Sequence, residues 1–269
     1  IVLKGGELVI AVVLLAAIIV VIIFRDKIDL YTYFESSSEI LSEVSEESEE
    51  NVVIESELSS EAVSEAVSSG ETSGSEGENS YLNDAVFIGD SRMQGLQLGT
   101  GLTNATFLAE RGLSVDKLED TAIFPLPSGG TGTVYQVLQE QSFGKAYLMF
   151  GVNELGWIYP EVFIEDFREI VQQIKALQPN IVIYVNAILP VTASKSSDGD
   201  VYTNEKINAW NPMLRQMAEE EGCIFLDAGE VMRDETGALP EEAATDGVHL
   251  TAEYCQKWLA YILDHKAVS

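Results

Sequence analysis

Between Tyr81 and Ser269 short β-rich apolar runs, bounded by turn residues, alternate with stretches of helical spacing. The apolar runs are Ala85–Ile88, Thr106–Ala109, Ala146–Phe150, Ile181–Val185 and Cys223–Leu226, each flanked by turn residues. Helical spacing covers Val162–Leu177 and Asn204–Glu221, and Thr251–Leu263 closes the chain. Thr251 followed by Ala252 and Glu253 reads as a helix start with an acidic first turn. Strands separated by helices predict a parallel sheet covered on both faces. Ligands of such sheets are met beyond the carboxyl ends of the strands. These 189 residues suit one domain with a full core, and they contain no internal repeat.

Three chemically loaded segments fall at such strand ends: Gly89-Asp90-Ser91-Arg92, Gly151-Val152-Asn153-Glu154 and Asp246-Gly247-Val248-His249. Ser91 follows the first run and opens a helix, where backbone amides favour developing negative charge. Asn153 follows the third run and offers a side-chain amide. Gly112, after the second run, offers a backbone N–H with no side chain in the way. With the Ser91 amide these donors predict an oxyanion hole. His249 is one of only two histidines, and Asp246 stands three residues before it, close enough to orient its imidazole. Singly, each signal also fits a turn, a loop glycine or a helix cap; their order and placement carry the joint reading.

Other chemistries lack their signatures. There is no Gly-x-Ser-x-Gly elbow, no phosphate-binding Gly-x-x-x-x-Gly-Lys-Ser/Thr and no dinucleotide glycine pattern. The histidines and two cysteines are not at zinc-site spacing, so neither metal nor cofactor is expected. Cys223 and Cys255 read as buried free thiols, although a bridge is permitted outside the cell.

On these segments the chain resembles the SGNH/GDSL hydrolase family over essentially all of Tyr81–Ser269. The resemblance implies a flavodoxin-like three-layer α/β/α sandwich with a five-stranded parallel sheet. It implies Ser91 as nucleophile, Asp246 and His249 as its partners, and Gly112 and Asn153 as oxyanion donors. Two positions depart from the family pattern. Arg92 stands where leucine is usual, either contacting an anionic substrate or solvated at the helix start. Glu154 stands where aspartate is common. Trp157 either lines the acyl or sugar pocket or packs. The run Phe150–Tyr159 resembles a membrane-tethered bacterial subgroup.

The amino-terminal part has a different composition. The formal charge is −29, and Glu35–Ser80 supplies fourteen glutamates with no lysine, arginine, aspartate or aromatic residue. Such a segment cannot bury enough apolar surface to offset chain entropy, so residues 35–80 are expected to be a disordered, self-repelling linker. A local helix around Ser56–Ser69 is the alternative. The acidity argues against nucleic acid and anionic lipid as partners. Leu8–Phe24 is seventeen residues without a charge, at the short end of a bilayer span. No small-x-small cleavage site follows it, so residues 1–34 are expected to be an uncleaved membrane anchor rather than a signal peptide. Tyr31, Tyr33 and Phe34 suit the interface. Lys4 before the span and Arg25 and Lys27 after it point the linker inward by charge alone; the family resemblance points outward.

The expectation is a single-pass, membrane-anchored, extracytoplasmic serine esterase. Its substrate is a small acyl ester, an acetyl group on an acylated small molecule or surface glycan. Acyl transfer to a surface polysaccharide by the same acyl-enzyme is the enzymatic alternative, and a non-catalytic stalked glycan-binding module the other. Oligomeric state is not legible.

Overall fold

The computed structural model describes residues 80–267. The chain divides into two units, Ile1–Ser68 and Ser69–Ser269, and the described residues belong to the second. The expected span Leu8–Phe24 and the acidic linker lie outside the described residues. Among the described residues no helix is long and apolar enough to cross a membrane.

Five parallel strands form the sheet: β1 (Ala85–Gly89), β2 (Thr106–Ala109), β5 (Lys145–Met149), β6 (Val182–Asn186) and β7 (Ile224–Leu226), in the order β2-β1-β5-β6-β7. Between β2 and β5 lies an antiparallel pair, β3 (Phe124–Pro125) with β4 (Thr131–Gly132), which periodicity does not announce because each strand has two residues. The helices are α1 (Ser91–Thr100), α2 (Val134–Glu140), α3 (Pro160–Leu177), α4 (Ala193–Ser196), α5 (Asn204–Glu220) and α6 (Ala252–Asp264). Thr133 and Gln136 start α2 with a reciprocal capping box.

Strand alternation builds two cores, one on each face. Val86, Ile88, Ala146, Leu148, Ile183 and Val185 point to one face, where α2, α3 and α5 cover them. Phe87, Tyr147, Met149 and Tyr184 point to the other, where α1 and α6 supply Met93, Leu96, Tyr254, Trp258 and Ile262. The result is three layers around a sheet buried on both sides. On the α1/α6 face the register sets Phe107, Phe87, Tyr147 and Tyr184 side by side on four neighbouring strands. Their rings stack at centroid separations of 4.6, 4.7 and 4.5 Å. Tyr184 also receives both ends of the domain: its hydroxyl meets that of Tyr81 at 2.8 Å and accepts the Ala267 N–H at 2.9 Å.

Gly89, the last residue of β1, touches the neighbouring strand. A Cβ there would lie 2.3 Å from the Met149 carbonyl oxygen, so the close approach that positions the next turn requires glycine.

Candidate active site

The first turn of α1 is shaped by Asp90. Its backbone is extended, and its Oδ1 accepts the Arg92 N–H at 2.9 Å, capping the helix. Ser91 is therefore the first helical residue, with its N–H among the donors left free by helix geometry. Burial pushes the fully buried Asp90 carboxyl up to about 6, against the opposing Arg92 N–H and charge.

Across the carboxyl ends of the strands, Ser91 Oγ lies 2.8 Å from His249 Nε2, and His249 Nδ1 lies 2.7 Å from Asp246 Oδ2. Asp246 Oδ1 also accepts the N–H groups of Val248 at 2.9 Å and His249 at 2.8 Å. Partial burial pushes the Asp246 carboxyl upward, but those N–H groups and the imidazole outweigh it and hold it at about 2. An ionised carboxylate only accepts, so Nδ1 carries the proton and Nε2 presents its lone pair to the serine hydroxyl. This geometry allows a hydroxyl to pass its proton to an imidazole that a carboxylate orients.

The expected oxyanion donors come from two loops tied to each other. Gly112 is exposed and sits at φ 74°, a conformation that favours glycine. Asn153 begins a short 3-10 turn, and its Nδ2 donates to the Leu113 carbonyl at 2.8 Å. That bond uses one of the two amide hydrogens and fixes the side chain beside the Gly112 loop.

Glu154 completes the tie and was not legible as more than a family departure. It is wholly buried; Oε2 accepts the Gly151 N–H and Oε1 the Val115 N–H, both at 2.8 Å. One carboxyl thus joins the Asn153 loop to the segment after Gly112. Burial, with the nearby Asp90 charge adding to it, raises Glu154 to about 8 even though the backbone N–H groups pull the other way.

Arg92 corrects both sequence expectations. It is 2% exposed, so it neither lies in solvent nor faces a substrate. Its Nε donates to the Val248 carbonyl at 3.1 Å, Nη1 to Leu189 at 2.6 Å and Nη2 to Pro190 at 3.2 Å. Burial lowers its pKa to about 10, which leaves it charged at neutral pH. Trp157 is half-buried and packs against the core under α2, α3 and α5. Cys223 and Cys255 are both free thiols, and burial pushes each up to about 11.

A three-layer parallel α/β domain with a serine, histidine and aspartate in line at its strand ends defines a serine hydrolase of the esterase class. The chain belongs to the GDSL-like lipase/acylhydrolase family, whose model matches residues 87–256. Solved structures share the fold. A protein from Streptococcus pneumonia, provisionally described as a platelet activating factor, is 24% identical with a TM-score of 0.55, covering 70% of this chain and 89% of its own. A GDSL-like lipase from Bacteroides thetaiotaomicron is 18% identical with a TM-score of 0.53, covering 70% and 93%. An acetyl xylan esterase is 15% identical with a TM-score of 0.50, covering 68% and 99%. No curated protein matches the chain.

Proposed function

We propose that the domain hydrolyses a small acyl ester, an acetyl group on a surface glycan, through an acyl-enzyme on Ser91. The observation that carries this reading is the hydrogen-bonded line from Ser91 Oγ through His249 to Asp246. Ser91 Oγ attacks the ester carbonyl while its proton passes to His249 Nε2. The carbonyl oxygen becomes an oxyanion received by the Ser91 and Gly112 N–H groups and the second Asn153 amide hydrogen. Collapse of this intermediate breaks the bond to the alcohol, which leaves with the proton from Nε2. Water then attacks the acyl-enzyme, gives its proton to Nε2, and the acid departs as Ser91 recovers it.

Two observations favour a bulky, lightly acylated substrate. The His249 and Asp246 side chains are 41% and 54% exposed, so a polymer can reach the site without threading a tunnel. A fold neighbour is an acetyl xylan esterase, itself acting on an acetylated glycan. We further propose that the domain works outside the cytoplasmic membrane, held there by Leu8–Phe24.

The purified protein treated with a fluorophosphonate probe tests the assignment. Labelling should occur in the wild type and vanish in Ser91→Ala with folding intact, because the hydroxyl alone forms the adduct. Undiminished labelling of Ser91→Ala removes the nucleophile assignment.

A further inference from the structure

The peptide unit joining Val248 to His249 is gripped at both ends. Its N–H belongs to His249 and donates to Asp246 Oδ1 at 2.8 Å. Its carbonyl belongs to Val248 and accepts from Arg92 Nε at 3.1 Å. The first grip is local to the histidine loop. The second comes from the residue immediately after Ser91, so one side chain connects the backbone of the nucleophile to the backbone of the base.

The other two donors anchor that connection. Nη1 and Nη2 hold the carbonyls of Leu189 and Pro190, in the loop that follows β6. That loop in turn holds the histidine segment, because the Thr192 N–H donates to the Gly247 carbonyl at 3.0 Å. The planar guanidinium fork therefore ties the start of its own helix to two other backbone segments in one fixed geometry, which neither leucine nor a single ammonium can reproduce. The arrangement is a poor choice for stability alone. Even with the Asp90 and Asp246 charges nearby, burial still lowers the Arg92 pKa, and a buried charge commonly costs as much as or more than an apolar side chain filling the same space.

Resting on the reading of Ser91 and His249 as nucleophile and base, we propose that Arg92 is a positioning residue that sets the Ser91–His249 distance by holding the Val248–His249 peptide. It touches neither substrate nor reacting atoms. Its effect falls on the chemical step, since a displaced imidazole slows proton transfer without altering ground-state binding.

The full chain, with Arg92→Leu and Arg92→Lys, decides this with two readouts from fluorophosphonate labelling. The final amplitude counts intact sites, and the rate per labelled site reads alignment. For Arg92→Leu the amplitude should stay at the wild-type level while the per-site rate, and kcat on p-nitrophenyl acetate, fall about 100-fold, the scale of loss for a small misplacement. KM should stay within about twofold, as expected when only transition-state interactions are lost. Arg92→Lys should recover part of the rate, with a loss of roughly tenfold, because an ammonium keeps the charge but its three donors on one nitrogen cannot match the spread of the guanidinium fork. A merely structural role gives the opposite split, with reduced amplitude and a wild-type rate per site, and that result overturns the proposal. Where Arg92→Leu does not fold, Arg92→Lys carries the decision, and a wild-type per-site rate overturns the proposal. Ser91→Ala is run alongside: labelling that survives it removes the catalytic reading itself, whereas Ser91-dependent labelling with unaffected Arg92 variants removes only the role of Arg92.

Discussion

Asp246 shows how much one carboxylate contributes when its hydrogen bonds are local. It accepts the Val248 and His249 N–H groups and the imidazole, all within three residues. Its pKa of about 2 lies below the ordinary value of 3.8. The stability it supplies is therefore fully present above about pH 4 and lost as pH falls toward about 2, the window between those two values. Asp246→Asn should cost turnover by about 10⁴-fold, because an amide no longer fixes the imidazole tautomer. The same variant should flatten the part of the stability profile between those pH values, read by thermal unfolding across an acid series. A variant that keeps its turnover would show that the imidazole is oriented by another group.

At the scale of elements, Glu154 sets the relation between two loops. Its pKa is raised from 4.5 to about 8, so the folded state holds a proton that the unfolded chain has released. This group's contribution to stability falls as pH rises from about 4.5 through about 8, and is level on either side. Glu154→Gln cannot ionise and should remove that slope; at low pH it should be destabilised, since an amide offers one acceptor oxygen to two buried N–H groups. Leaving one such group unpaired costs about 1–3 kcal/mol. Chemical denaturation of both proteins at pH 5 and pH 8.5 checks the difference, and an equal pH response in the two would remove Glu154 as its source. The sequence made some of these elements plain and hid others for a physical reason. Runs such as Ala85–Ile88 and Ile181–Val185 are apolar on both faces, so the sheet was legible, and Asp246 lies near His249 in the chain, so their pairing was too. The β3–β4 pair is too short to establish a period. The burial of Arg92 depends on carbonyls 97, 98 and 156 residues away, and nothing in Gly-Asp-Ser-Arg reports on them. Glu154 likewise reaches Val115, 39 residues back, which no local pattern discloses.

For the whole molecule the proposal concerns sidedness. Protease applied to intact cells after removal of the wall should digest the catalytic domain. Full protection, with a cytoplasmic control also intact, would place it inside and discard the surface-glycan substrate. The tyrosine that receives both ends of the domain adds a directional consequence. Tyr81 approaches β1 from the amino end of the sheet, where Lys145 Nζ, at the start of β5, donates to its carbonyl at 2.8 Å. Ser91 and His249 stand at the opposite, carboxyl end. The chain therefore enters the described domain at Tyr81 on one end of the sheet and carries its serine on the other, so a label or support coupled ahead of Tyr81 leaves the site open.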